Sequence, residues 1–157
     1  MSIRPLLRED KEPIEKLLRA TDMFREEEIV IALELIEICL EDAQQKDYEI
    51  YSFVDDAGSV KGYVCVGPTP STNGTYDLYW IAVVPSEHGK GIGSRLLQFA
   101  EDHVRSKGGR LMIAETSSLP KYEQTRSFYE RKGFDQRARI KEYYSPDDDL
   151  IIYGKKL

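Results

Sequence analysis

The chain has 157 residues, of which 41% are apolar and 32% are charged, and its formal net charge is −6. This length is sufficient for one domain (residues 1–157) with its own core. The acidic balance and the lack of a basic tract argue against nucleic acid as a partner, because binding it requires cations that neutralise phosphates.

No apolar run approaches the roughly 20 residues that span a bilayer, and the N-terminus lacks the apolar segment of a signal peptide. The two cysteines, Cys39 and Cys65, lie in apolar contexts on different predicted elements, so the sequence predicts a cytoplasmic protein without a disulfide and without a membrane partner.

Hydrophobic periodicity and turn residues divide the chain into regular elements. In chain order, the pattern predicts a strand at 3–7, a helix after the N-cap Asp10, a helix at 25–45, strands at 48–54, 59–66 and 75–83, a helix at 91–107, a strand at 110–115, a helix at 122–132, and strands at 134–143 and 150–156. The resulting order, β-α-α-β-β-β-α-β-α-β-β, predicts an α/β domain with a mixed sheet.

The strand predicted at 75–83 is the central one. Strict alternation places Asp77, Tyr79 and Ile81 on one face and Tyr76, Leu78 and Trp80 on the other, unless a bulge interrupts it. Residues 67–74, rich in proline, threonine and glycine, form a loop before this strand. We expect that loop to border the functional site, the alternative being a simple surface connection.

A glycine-rich loop separates this strand from the helix that follows it. The apolar run at 81–84 ends at Pro85, because proline cannot donate to a sheet ladder. The sequence HGKGIG follows at 88–93, and an apolar pattern at helical spacing begins at Ile92. Backbone N–H groups at a helix start have no internal partner and carry partial positive charge, and glycine lets a ligand approach them. The stretch therefore predicts an anion site for a phosphorylated cofactor, with a plain strand-to-helix turn as the alternative.

Two familiar phosphate motifs are absent from this loop. The sequence contains no G-x-x-x-x-G-K-[ST]. The dinucleotide fingerprint G-x-G-x-x-G also fails, because its last position is Ser94 when read from Gly89 and Leu96 when read from Gly91. A generic nucleotide-binding domain is therefore disfavoured.

Two motifs together resemble the GNAT superfamily of acyl-CoA N-acyltransferases. The segment His88-Gly89-Lys90-Gly91-Ile92-Gly93, after a strand that ends in Val83-Val84-Pro85, is similar to the family signature [QR]-x-x-G-x-[GA]. The segment 127–134, SFYERKGF, is similar to the family element F-Y-x-x-x-G-F. The first signature position holds His88, where the family usually has Gln or Arg that braces the loop or contacts the pyrophosphate.

The resemblance implies a fold and a co-substrate. The fold is a single α/β domain with a mixed, mostly antiparallel sheet of about six or seven strands, about four flanking helices and a splayed pair of central strands. The pantetheine arm of acetyl-CoA pairs with the open strand edge in such a fold. The implied cofactor-binding residues are Ile81, Ala82, Val83, His88, Gly89, Lys90, Gly91, Ile92, Gly93, Ser94 and Phe128. No histidine or cysteine cluster has metal-ligand spacing, so no metal is expected.

Acylation of an amine by a thioester requires a base, an oxyanion donor and an acid. The resemblance assigns the acid to Tyr129, which would protonate the departing thiolate. The base is either Asp77 or Glu115, acting directly or through water, and Glu115 is expected at the carboxyl end of a strand, where α/β sites open. The oxyanion donor would be a backbone N–H near Ala82 or Val83.

The sequence thus predicts an N-acetyltransferase that transfers an acetyl group directly from acetyl-CoA to the primary amine of a small molecule or amino acid. A peptide or protein amine is the alternative acceptor, and a non-catalytic acyl-CoA-binding module is an alternative of another class. Dimers are common among such proteins, so a second copy of the chain is a candidate partner.

Overall fold

A seven-stranded sheet runs through the computed structural model, which describes residues 1–157. The strands are Ser2–Pro5 (β1), Glu49–Val54 (β2), Val60–Pro68 (β3), Thr75–Val83 (β4), Leu111–Ser117 (β5), Asp135–Ser145 (β6) and Asp148–Lys156 (β7). The α-helices are Lys11–Ala20 (α1), Glu26–Glu41 (α2), Ile92–Ser106 (α3) and Glu123–Arg131 (α4). No helix is both long and apolar enough to cross a bilayer.

The sheet is antiparallel except at its centre. Its strand order is β1-β2-β3-β4-β5-β7-β6, and only β4 and β5 run parallel. These two strands pair at Thr75, Tyr76 and Asp77 alone, although β4 continues to Val83 and β5 to Ser117. They therefore separate toward their carboxyl ends, as the predicted splayed pair requires.

Two apolar layers cover the two faces of the sheet. One layer includes Leu96 and Leu97 of α3, with Tyr129 of α4. The other includes Ile14 of α1 and Ile36 of α2. Apolar residues at helical spacing bury one face of each helix against the sheet. The carboxyl end of β4 therefore lies between two layers of packed side chains.

A bulge corrects the predicted faces of β4. Cys65 pairs with Trp80 and Val66 with Leu78, so Tyr79 has no partner on β3. An extra residue reverses the alternation beyond it. Ile81 therefore packs in the same layer as Leu78, on the α3 side, and Trp80 packs on the α1 and α2 side.

Several predicted boundaries also shift. Helix α2 ends at Glu41 rather than at residue 45, because Asp42 is extended and its carboxylate accepts the Gln44 N–H at 3.0 Å, which offers the backbone a turn in place of a helix. Strand β5 continues to Ser117, which pairs with Leu150 of β7. The connection predicted at 145–149 is shorter, since Ser145 and Asp148 already pair.

Candidate active site

A cleft of about 1020 Å³ opens where β4 and β5 separate. Its floor is the carboxyl half of β4 from Tyr79 to Val83, together with Glu115, Thr116 and Ser117 of β5. Beyond Asp77 the facing edge of β4 has no ladder partner on β5. Alternate N–H and C=O groups along this edge can therefore bond to an extended ligand inserted between the two strands.

The glycine loop, residues 88–94, borders one half of the cleft. None of the backbone N–H groups from Gly89 to Ser94 donates a hydrogen bond to another protein atom. Gly89 and Gly91 have φ angles of 79° and 83°, which only glycine adopts without strain. This row of unbonded donors, ending on the N-terminus of α3, is suited to bind a pyrophosphate.

His88 fixes this loop to the central strand. Its Nε2 lies 2.8 Å from the carbonyl oxygen of Val83. A carbonyl only accepts, so Nε2 carries the proton and donates. At the first signature position, histidine thus makes the bracing contact between the loop and β4 through its own ring.

Tyr129 lies at the inner wall of the cleft with its ring buried. The ring packs against Phe128, Phe134 and Tyr153, with centroid distances of 5.8, 5.3 and 5.9 Å. Its hydroxyl makes no hydrogen bond within the protein, yet the residue lines the cleft. Burial raises the pKa of Tyr129 above its usual value, which keeps the phenol protonated and able to donate.

Glu115 presents a carboxylate to the same cleft. It has no hydrogen-bond or ion-pair partner, and it is exposed to the cleft space. Loss of hydration raises the pKa of Glu115, and the negative charge of Asp77 raises it further. A carboxylate without a partner and with an elevated pKa is a suitable proton acceptor.

Asp77 lies behind this site and does not line the cleft. It sits at the last paired position of β4, and its carboxylate accepts the Thr69 hydroxyl at 2.7 Å. The loop at 67–74 also stays away from the cleft, contrary to expectation, because it precedes the amino end of β4 whereas the cleft opens at the carboxyl end. Asp77 therefore affects the site through the pKa of Glu115 rather than by contact.

The structure brings most of the predicted site residues together around one cleft. Those lining it are Tyr129, Glu115, Ile81, Ala82, Val83, His88, Gly89, Gly91, Ile92, Gly93, Ser94 and Phe128. Apart from Asp77, only Lys90 lies outside the lining; its ammonium group is 3.0 Å from the Glu87 carboxylate and 61% of its side chain is exposed.

The other half of the cleft is lined by residues that the motifs do not mark. Met23 and Phe24 enter from the connection between α1 and α2, Tyr122 from the turn before α4, and Tyr144 and Asp148 from β6 and β7. The Tyr122 hydroxyl donates to the Met23 carbonyl at 2.9 Å and joins two sides of the cleft. For Tyr144 and Asp148 the available signal was the pair Tyr143-Tyr144 at the end of the predicted strand 134–143, next to an acidic turn.

An irregular bulge with three extra residues in β6 precedes Ser145 and places Tyr144 in the cleft. Between the pairs Ile140–Leu150 and Ser145–Asp148, β6 contains more residues than β7. Glu142 has a φ of 56°, and its N–H donates to the Asp149 carboxylate at 2.9 Å. Burial and the charge of Glu115 raise the pKa of Tyr144 to about 12.

Residues 12–134 match the sequence model of the acetyltransferase (GNAT) family. The chain therefore belongs to this family. The predicted resemblance is confirmed by this match, and the predicted fold by the structure and its neighbours.

The solved structures share the fold of this chain, and the relatives with a named substrate differ in what they act on. A GNAT-family protein from Desulfovibrio desulfuricans is 42% identical with a TM-score of 0.92, and the alignment covers 99% of this chain and 98% of that one. An aminoglycoside 6′-N-acetyltransferase complexed with coenzyme A is 20% identical with a TM-score of 0.78, covering 99% and 97% of the two chains, which is a likeness of fold. The S-(2-succino)cysteine N-acetyltransferase of Bacillus subtilis is 29% identical over 90 residues, 57% of this chain and 53% of the relative. The chain spans about half the length of the curated relatives it matches.

Proposed function

We propose that the protein transfers an acetyl group from acetyl-CoA directly to the primary amine of a small molecule or amino acid. The observation that carries this proposal is the single cleft that joins the unbonded N–H groups of the glycine loop, the open edge of β4, Tyr129 and Glu115. The coenzyme A complex of an enzyme with the same fold supports acetyl-CoA as the co-substrate. A cytoplasmic location, favoured by the sequence, belongs to the same proposal.

The residues of the chain divide the reaction among them. Glu115 takes a proton from the ammonium group, directly or through water, which frees the amine lone pair. The amine nitrogen then bonds to the thioester carbonyl carbon, and a backbone N–H at the free edge of β4, near Ala82 or Val83, donates to the oxygen that gains negative charge. When the carbon–sulfur bond breaks, Tyr129 donates its proton to the sulfur, and the nitrogen loses its remaining extra proton, which returns through water to the Tyr129 phenolate. Glu115 then releases its proton to solvent.

Desolvation makes this proton donation feasible. Burial raises the pKa of Tyr129 because it disfavours the phenolate. A thiolate released beside the buried ring is also deprived of water, so its proton affinity rises in the same way. The pKa of the donor phenol and the pKa of the acceptor thiol therefore rise together. Tyr129 keeps its proton at neutral pH and can transfer it to the sulfur.

The acceptor half of the cleft favours a cationic amine with an apolar part. Its three carboxylates are Glu28, Glu115 and Asp148. They outnumber its two cations, Arg25, which lies 3.1 Å from Glu28, and Lys121, which extends over the Tyr122 ring. Negative charge lining a cleft attracts an ammonium group. The rings of Phe24 and Trp80, packed edge to face at 5.0 Å, supply the apolar surface.

A peptide amine is a second candidate acceptor. Ile31 lines the mouth of the cleft and is 52% exposed, and its neighbour Val30 on α2 is 44% exposed. This apolar surface continues outward from the acceptor half, where a chain attached to the reacting amine would lie.

Release of free thiol from acetyl-CoA tests the function. Purified protein should release thiol in the presence of some members of a panel of free amino acids, aliphatic and aromatic amines, and short peptides. Mass spectrometry should find about 42 Da added to the amine, because an acetyl group replaces one hydrogen. Tight acetyl-CoA binding with no acetylated amine across the panel would instead favour a binding module.

Asp77→Asn is expected to shift the acidic limb of the profile of log(kcat/KM) against pH to lower pH. Asparagine removes the charge that helps raise the pKa of Glu115, so Glu115 then stays deprotonated to a lower pH. Its amide oxygen can still accept the Thr69 hydroxyl. Glu115→Gln should abolish this limb and lower kcat/KM by about 100-fold.

Glu9→Gln is the matched control for this pH shift, because it removes one exposed carboxylate that has no ion-pair partner. Protonation of the acceptor amine affects all variants alike. A limb that stays in place in Asp77→Asn and persists in Glu115→Gln would exclude Glu115 as the base.

A further inference from the structure

A second, entirely polar pocket lies on α4 beside the active-site cleft. It has a volume of about 400 Å³ and is lined by Glu123, Gln124, Ser127 and Arg131. Gln124 and Arg131 line the cleft as well, so the two spaces adjoin each other at α4. A ligand bound in the cleft can therefore reach this pocket by following α4.

Arg131 is a cation without a carboxylate partner. It forms no salt bridge and no side-chain hydrogen bond, whereas Lys90 near the glycine loop is paired with Glu87 and Arg25 across the cleft is paired with Glu28. Lys132, the next residue along α4, extends over the Phe128 ring, 6.0 Å from its centroid. The guanidinium group of Arg131 therefore keeps all of its donors available for an anion.

Arg131 is one helical turn from the glycine loop. A β-carbon built on Gly93 would lie 3.5 Å from the ring of Phe128, so Phe128 marks the point where α4 reaches the loop. Arg131 follows Phe128 by three residues, on the same side of the helix and within about 5.4 Å along its axis. Coenzyme A carries its pyrophosphate at the 5′ carbon of a ribose and a separate phosphate at the 3′ carbon, so one sugar ring separates the two charged groups.

We propose that Arg131, with Ser127 and Gln124, binds the 3′-phosphate of coenzyme A. This proposal rests on the proposed use of acetyl-CoA in the cleft. With the pyrophosphate on the N–H groups of the glycine loop, the ribose lies against α4 and its phosphate faces the planar, bidentate donors of Arg131. The hydroxyl of Ser127 and the side-chain amide of Gln124 are neutral donors in the same pocket.

The one acidic residue of the pocket lies at its far end. Glu123 precedes Arg131 by eight residues, or about 12 Å along the helix axis. The adjacent Glu130 is engaged elsewhere, since its carboxylate accepts the Tyr153 hydroxyl at 2.9 Å. At the Arg131 end, the local charge is therefore favourable for a phosphate.

Calorimetric titration with coenzyme A and with 3′-dephospho-coenzyme A tests the assignment, because the two ligands differ only in this phosphate. We expect the wild-type protein to bind coenzyme A about tenfold more tightly than the dephospho form. Arg131→Gln should weaken coenzyme A binding about tenfold and leave dephospho-coenzyme A binding unchanged, so that the preference disappears. Arg131→Lys, which keeps a point charge, should retain part of it.

Lys46→Gln is the matched control, since it removes one charge from an exposed residue outside the cleft. It should preserve the wild-type preference. Equal loss of affinity for both ligands in Arg131→Gln, or no loss for either, would overturn the assignment while leaving the proposed function intact. A wild-type protein that binds neither ligand would overturn both.

Discussion

Tyr129→Phe is expected to lower kcat by about 100-fold or more, with little change in the affinity for acetyl-CoA. The substitution removes only the hydroxyl, which makes no hydrogen bond within the protein, so the packing of the ring against Phe134 and Tyr153 is retained. The thiolate would then leave without a proton donor. Steady-state kinetics with an acceptor identified by thiol release, together with calorimetry, separates the two effects.

Tyr76→Phe is the matched control for this experiment. Tyr76 is also partly buried, packs against the same apolar layer and has no side-chain hydrogen bond, but it lies outside the cleft. It should retain the wild-type kcat. An equal loss in both variants, or no loss in Tyr129→Phe, would contradict the role of Tyr129 as the acid.

Gly91→Glu is expected to weaken acetyl-CoA binding by at least about 100-fold, because it places a carboxylate beside the N–H groups that receive the pyrophosphate. A like-charge contact of this kind costs several kcal/mol, and about 2.7 kcal/mol already corresponds to 100-fold. No protein atom lies within 4 Å of a β-carbon built at Gly91. The side chain therefore has room in the protein, and its effect falls on the ligand.

Gly58→Glu provides an unusually close control. Gly58 has a φ of 82°, and no protein atom lies within 4 Å of a β-carbon built there, as at Gly91. It lies in the turn between β2 and β3, away from the cleft. Both substitutions cost about 1–2 kcal/mol of backbone strain, so their thermal midpoints should fall together while only Gly91→Glu loses the ligand. Unchanged affinity in a folded Gly91→Glu protein would exclude the glycine loop as the phosphate site.

The strand and the glycine loop that line one half of the cleft could be placed from the sequence, because local residues set the conformation of their backbone. The strand at Thr75–Val83 was predicted with its observed ends, and the glycines mark where the backbone turns and its N–H groups stay free. The family resemblance, rather than periodicity, marked Phe128 and Tyr129, and the structure places both residues along the cleft.

The acceptor half could not be predicted in the same way. The bulge opposite Cys65 changes which face Trp80 occupies, and the bulge in β6 turns Tyr144 into the cleft. Both depend on pairing with another strand, which local periodicity does not record. Asp77 has the right chemistry for a base and lies on a central strand, but it sits where β4 and β5 still pair, and only the tertiary structure shows that the cleft opens beyond it.

Thermal unfolding with acetyl-CoA, coenzyme A, ATP and NAD, each at the same high concentration, tests the central claim most directly. A ligand at 100 times its Kd adds about 2.7 kcal/mol to the free energy of unfolding. For a chain of this size, each kcal/mol raises Tm by about 2–4 °C, so we expect a rise of roughly 5–10 °C with acetyl-CoA and coenzyme A only. Stabilisation by ATP or NAD, or by none of the four ligands, would contradict the assignment of the cleft.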